Sequence, residues 1–275
     1  MCNGASIFSC KESWLLLNQC QDYLVKLELE FVAKKALYLT QGVNNTCFRV
    51  ETQCGKTLLL KHFDRENNFK VTLVEQHLAK KDVVPNVIAT SEKHKLIAYQ
   101  FIESVEFNKP LHLQSLVAKL VVLHNLNSDY DYEEINLSTL FSSYTELAEY
   151  KNYQTTINQL LAKLKNYPYE LGVCHNDLVR ENLIFSNKTS WLIDFEYVGL
   201  NDVYFDLAAL CSSLTLNLSD KKYLLACYFK LPSVSSQQLE KLDLYQQLYN
   251  LICYLWYLKH GFTSHAQALK PFIND

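Results

Sequence analysis

Val173-Cys-His-Asn-Asp-Leu-Val-Arg-Glu-Asn-Leu-Ile-Phe185 is the stretch on which the reading of this chain turns. His175, Asn176, Asp177, Arg180, Glu181 and Asn182 crowd into eight residues, with apolar residues on both sides. A solvated turn is polar too, but it has no need of apolar flanks. The flanks predict a polar loop held between buried strands, which is how a fold positions reactive groups. Beyond Asn182 comes Ser190-Trp-Leu-Ile-Asp-Phe-Glu196, an apolar strand pattern that ends on Asp194, twelve residues past Asn182. Asp177, Asn182 and Asp194 are therefore the candidate functional residues. Capping and turn formation is the bland alternative.

Working outward, the N-terminal side reads as a small antiparallel sheet with helices. Lys11 to Leu24 has helical periodicity, with Trp14, Leu17 and Leu24 recurring. Ala36–Thr40, Thr46–Glu51 and Thr57–Phe63 read as a β-meander, joined by turns at 41–45 and 53–56. Phe69–Ala79 reads as a helix, and Val87–Ala89 and Leu96–Phe101 as two further strands around the charged turn 91–94. Past about residue 110 the pattern turns helical: Leu113–Leu123, Leu140–Lys165, Asp220–Phe229 with Ser219 as its cap, and Gln237–His260. The interval from Ile102 to Pro110 is the best place for a hinge.

Composition narrows the class. The chain has 275 residues, 49% of them hydrophobic, enough for one large domain or two lobes. The net charge is −3, with no basic excess for nucleic acid and no acidic tail. With 6 Gly and 5 Pro, long flexible linkers are not expected. The nine cysteines are scattered, odd in number and form no C-x-x-C pair, so reduced thiols in a cytoplasmic protein are expected. Residues 1–10 show no secretory pattern, and the longest apolar run, Leu251–Leu258, is too short to span a bilayer.

Protein kinases space the Asp and Asn of their catalytic loop as Asp177 and Asn182 are spaced, and Asp194-Phe195 resembles their metal-binding Asp-Phe-Gly element. His175-Asn-Asp-Leu178 with Asn182, then Leu192-Ile-Asp-Phe-Glu-Tyr197 and Asn201-Asp-Val-Tyr-Phe-Asp-Leu-Ala208, resembles the choline kinase and aminoglycoside phosphotransferase superfamily. Within it the likeness is to the choline/ethanolamine kinase and bacterial thiamine kinase branches. The motif match runs from Val173 to Ala208. The resemblance implies an α+β, protein kinase-like two-lobed fold. Residues 1–102 would form a nucleotide-binding lobe of antiparallel sheet and helix, and 103–275 a mainly helical catalytic and substrate-binding lobe.

The resemblance also implies roles. Asp177 would accept or orient the acceptor hydroxyl, with His175 in the same catalytic loop as an orienting group. Asn182 and Asp194 would hold Mg²⁺, and Glu196 would lie near metal or substrate. Asp206 would support the loop, or else cap a helix. ATP would meet Lys61 on the third strand, or Lys61 is a surface lysine. Glu75 would be its acidic partner, with Glu66 as competitor. The phosphates would be covered by the turn carrying Asn44, Asn45 and Thr46, which has one glycine rather than several. Adenine would lie along Tyr99–Ile102, at Gln100 and Ile102, through backbone.

The acceptor would be a small-molecule alcohol. Tyr254, Trp256 and Tyr257 fall in one helical stretch, and aromatic faces attract onium groups; a buried aromatic helix is the alternative. Choline kinases carry two tryptophans in the comparable helix and this chain carries one, so thiamine stands beside choline and ethanolamine. An aminoglycoside acceptor would call for acidic residues, of which Asp129, Asp131, Glu133 and Glu134 form a cluster broken by Tyr130 and Tyr132. A non-catalytic nucleotide-binding module is the reading from another class, and the intact Asp177, Asn182 and Asp194 speak against it.

Overall fold

A computed structural model describes residues 10–41, 45–63, 71–126 and 131–273. Gly42, Asn44, Glu66, Asp129 and Tyr130 lie outside the described residues. The chain divides into two compact units, Met1–Val105 and Glu106–Asp275.

The first unit is built on a five-stranded antiparallel sheet in the order β1-β2-β3-β5-β4. The strands are β1 (Ala33–Gln41), β2 (Asn45–Thr52), β3 (Thr57–Phe63), β4 (Val87–Ser91) and β5 (Leu96–Gln100). Helix α1 (Cys10–Lys26) lies on one face, where Cys20 and Leu24 meet Phe48, Val50, Leu58 and Leu60 in a buried cluster. Side chains alternate across a strand, so Leu58, Leu60 and His62 share that face; the His62 ring stacks on Tyr23 of α1 with centroids 5.4 Å apart. Lys61 points to the other face, toward Phe63, whose ring lies 4.9 Å from its ammonium. In the register of β3 with β5, Leu59 opposes Tyr99 and Lys61 opposes Ile97. Tyr99 therefore shares the Lys61 face. Its hydroxyl donates to the carboxylate of Glu75, which is buried on α2 (Val71–Ala79). Lys61 and Glu75 thus lie on one side of the sheet, both buried.

The second unit is mainly helical. Its helices are α3 (Lys109–His124), α4 (Leu137–Ser142), α5 (Ala148–Leu164), α6 (Tyr204–Ser213), α7 (Leu218–Phe229), α8 (Ser236–Lys259) and α9 (Thr263–Leu269). Two short antiparallel pairs are set among them: β6 (Leu171–Cys174) with β9 (Gly199–Asp202), and β7 (Leu183–Phe185) with β8 (Ser190–Leu192). The helix expected over 140–165 is interrupted. Ser142, Ser143 and Thr145 hydrogen-bond through their hydroxyls to the carbonyls of Ser138, Leu140 and Ser142, an alternative to the helical ladder that favours a turn. The cap of α7 is Asn217, in a reciprocal box with Asp220, rather than Ser219. Helix α6 has no counterpart in the sequence reading. Its residues from Tyr204 to Cys211 are all buried, so no polar stripe marks a helical period.

Lys241 of α8 is buried, with its ammonium 2.7 Å from Asp202, 3.0 Å from Glu170 and 2.6 Å from the Pro168 carbonyl, over the Tyr204 ring. It joins α8 to one end of the β6–β9 pair, where Leu171 opposes Asp202. Lys241→Ala leaves the carboxylate of Asp202, itself buried, without its counter-charge. The expected loss is about 3–5 kcal/mol, read as a lowered midpoint in chemical denaturation; a change under about 1 kcal/mol contradicts this account.

Candidate active site

Strand β6 delivers the chain to the site. Gly172 has no room for a side chain: a Cβ there would sit 2.9 Å from the His124 carbonyl and 2.8 Å from Val203. That close approach brings the end of α3 against the strand leading to the loop. The loop then hangs from one carboxylate. Asp206 on α6, fully buried, accepts the backbone N–H of His175 (2.7 Å) and of Asn176 (2.9 Å). His124 donates from Nε2 to the same carboxylate at 3.0 Å, and its Nδ1 meets the Tyr228 hydroxyl at 2.7 Å. His124, Cys174 and Asp206 are close enough to hold a metal ion. With both imidazole nitrogens and both carboxylate oxygens already bonded, they form a hydrogen-bond hub instead.

Asn176 takes a left-handed backbone conformation, φ +64°, which asparagine tolerates better than most residues. Its amide is tied on both sides, donating to the Tyr197 carbonyl (3.0 Å) and accepting from Asn201 (2.9 Å). His175 is completely buried, packs on Phe195 with centroids 4.4 Å apart, and donates from Nε2 to the Ile193 carbonyl at 2.9 Å. Burial holds its imidazole below the ordinary range and therefore neutral. This is the place of a group that fixes the loop, clasped to the segment carrying Asp194.

A 3₁₀ turn over Arg180–Asn182 and the β7–β8 hairpin fold the chain back on itself. The Asn182 amide donates to the Asp177 carboxylate at 2.9 Å and to its carbonyl at 2.8 Å, and the Ile193 N–H bonds the Asn182 carbonyl at 3.1 Å. Asp177, Asn182 and Asp194 are thus gathered in one place. Asp194 has φ +66°, a backbone strain that clusters at functional positions. The Asp177 carboxyl is pushed up to about 7, by burial first, then by the charge of Asp194, with smaller shares from Glu196 and Asp206; the Asn182 bond opposes them. Two carboxylates and an amide oxygen with surplus negative charge are the donor set that suits a hard cation such as Mg²⁺.

Beside Asp177 opens a cavity of about 410 Å³. Tyr144, Tyr197, Trp256, Tyr257, Phe262 and His265 are among the residues that line it. Trp256 stacks on His260 at 4.1 Å, lies parallel to Phe262 at 5.9 Å and meets Tyr257 edge-on. The face that α8 turns to the cavity carries Tyr249, Ile252, Cys253, Trp256 and Tyr257, spaced as one side of a helix. Tyr254 lies off that face. It is buried edge-on against Tyr153 of α5, which corrects its place among the substrate residues. Tyr257 takes its place, by the spacing from Cys253. Glu196 does not line the cavity but is close enough to act on the Asp177 carboxyl.

The residues expected at the nucleotide sit in the first unit. Lys61 and Glu75 share a sheet face as described. Asn45 is buried at the start of β2, Thr46 pairs with Gln41 and His62, Gln100 ends β5 exposed, and Ile102 follows it. His124, Tyr197 and His265 were not singled out from the sequence. His124 and His265 are isolated residues with no spacing relation to the motif, and Tyr197 was quoted within the motif but given no role of its own. No helix of the described residues is long and apolar enough to cross a membrane.

Comparison with known proteins agrees with this geometry. A solved choline/ethanolamine kinase family protein from Mesorhizobium loti superposes with a TM-score of 0.75 at 20% identity, covering 92% of each chain. The choline kinase LicA from Streptococcus pneumoniae gives 0.72 at 21% identity, over 92% of this chain and 96% of that one. Protein LicA of Haemophilus influenzae is 25% identical over 244 residues, 81% of this chain and 89% of its own length. The fold is that of the kinase-like phosphotransferases. The model of the phosphotransferase enzyme family (APH) matches residues 36–224, and the chain belongs to that family.

Proposed function

We propose that this phosphotransferase moves the terminal phosphoryl group of ATP to the hydroxyl of a small cationic alcohol, with choline as the best-supported acceptor. The observation that carries the reading is the aromatic cavity opening directly on Asp177. Trp256, Tyr257 and Tyr197 offer ring faces to an onium group, worth on the order of 1–2 kcal/mol per well-placed ring when desolvated. Asp177 and Glu181 are the carboxylates lining it. An aminoglycoside carries several ammonium groups and asks for more acid than that. Glu133 and Glu134, acidic candidates in the sequence, are engaged through their backbone with Leu200 instead and do not line the cavity.

In this reading Asp177 orients the acceptor hydroxyl and takes its proton, for which a carboxyl titrating near neutrality is suited. Asn182 and Asp194 hold Mg²⁺, whose chemistry is to neutralise charge on the phosphates during transfer. His175 and Asp206 position the loop, and Glu196 adds negative charge beside the metal residues. Lys61 reaches the α- and β-phosphates with Glu75 as its acidic partner, Asn44, Asn45 and Thr46 cover them, and Gln100 to Ile102 receive adenine through backbone.

Choline, ethanolamine, thiamine and kanamycin, each offered with ATP and Mg²⁺, separate the acceptors. Choline is expected to give the highest kcat/KM. Trp256→Leu is expected to raise its KM by about tenfold with kcat little changed. Turnover confined to kanamycin, or a Trp256 variant with unchanged KM for choline, removes the reading.

A further inference from the structure

We infer that Glu181 is the residue that selects a cationic over a neutral acceptor, a role that rests on the cationic-alcohol reading above. It occupies the 3₁₀ turn between Asp177 and Asn182, and its exposed side chain lines the cavity. Its charge reaches the far aromatic wall. The Tyr257 phenol is pushed up to about 12, chiefly by burial, with Cys253, Glu181 and Asp177 adding to it. Glu181 therefore acts on the ring that also meets His265 at 5.2 Å.

The two carboxylates lining the cavity are not equivalent. Asp177 is mostly buried, hydrogen-bonded to Asn182 and committed to the hydroxyl end of the acceptor. A cationic alcohol has a second end, and the carboxylate available to it is Glu181. Lys259 of α8 is bonded to the Ser143 carbonyl at 3.0 Å and lies over the Tyr144 ring. The rings of the wall favour an onium ion over an apolar isostere, and a carboxylate lining the same cavity adds a full charge to that preference.

The experiment compares choline with 3,3-dimethylbutan-1-ol, the neutral carbon isostere, in the wild-type enzyme, Glu181→Gln and Glu181→Asp. Glu181→Gln is expected to raise the KM for choline about tenfold, the effect of one partly screened charge at contact range. The KM for the isostere, the KM for ATP, the Mg²⁺ dependence and kcat should stay within about twofold, on the same screened-charge argument. Glu181→Asp should restore most of the choline affinity. The difference between wild type and Glu181→Gln should shrink as ionic strength rises from 0.01 to 1 M, because salt screens an exposed charge. Equal losses for choline and isostere, or no loss for choline, overturn the assignment of Glu181 and leave the acceptor reading standing. Failure of the wild-type enzyme to phosphorylate choline overturns the acceptor reading itself, and this role of Glu181 with it.

Discussion

Asp177→Asn is expected to slow phosphoryl transfer by a factor on the order of 10²–10⁴, the usual contribution of a positioned base, and at the same time to make the metal-free protein harder to unfold. The first part follows from replacing the proposed proton acceptor by an amide of the same shape. The second follows from the direction of the carboxyl's shift. Asp177 titrates near 7 in the folded protein, against an ordinary aspartate in the unfolded chain near 3.9. A raised carboxyl means that the folded state prefers the protonated form. Burying it therefore costs nothing below about pH 4, costs progressively more as pH rises through 7, and is at its full penalty above that. Three pH units set a ceiling of about 4 kcal/mol, and relaxation of the site brings the expected gain to about 2 kcal/mol. In a protein of this size that is a melting temperature higher by about 5 °C at pH 8. The gain should fade to nothing near pH 4. Melting curves of both proteins with EDTA across pH 4–8 check it. A variant no more stable than wild type at pH 8 contradicts the account, and undiminished turnover contradicts the role of Asp177.

Asp206→Ala attacks the same loop from behind. Its carboxylate takes two backbone N–H groups and the His124 imidazole, all in the interior. Removing it leaves three buried donors without an acceptor, at about 1–3 kcal/mol each before relaxation. A net loss of about 3–5 kcal/mol is expected, together with a fall in kcat on the order of 10²-fold through misplacement of Asp177. Asp206→Asn separates the two effects. The amide oxygen still accepts, so stability should recover at least half-way, while kcat stays depressed because Asn176 and His124 lose a charged partner. Wild-type kcat in Asp206→Ala would remove the positioning role.

Much of the site was legible because phosphoryl transfer forces residue types into fixed intervals. Asp177, Asn182 and Asp194 are 5 and 12 positions apart, and the hairpin between them holds those intervals in space. The β-meander was legible from its punctuation: β3 was bounded correctly at Thr57 and Phe63, since a short apolar run, Leu58 to Leu60, follows the turn residues 53–56. Helix α6 was not, because a helix buried all round has no polar stripe to announce it. Tyr254 was misplaced because a cluster of aromatics in sequence does not say which helical face meets the cavity; one position is a rotation of about 100°. His124 stayed hidden because its relation to Asp206 spans 82 residues and exists only in three dimensions.

The division of labour between two packed helices has an evolutionary consequence. The loop carrying Asp177 is suspended from Asp206 of α6, whereas the cavity beside Asp177 takes Tyr249, Ile252, Cys253, Trp256 and Tyr257 from one face of the neighbouring α8, besides Phe205 of α6 and Glu181 of the loop. In the proposed reading, the α8 side chains that meet the acceptor are not the ones that hold the reacting groups. Substitutions along Tyr249, Ile252, Cys253, Trp256 and Tyr257 can therefore redraw the range of alcohols accepted, one residue at a time, without first dismantling the machinery that transfers the phosphate.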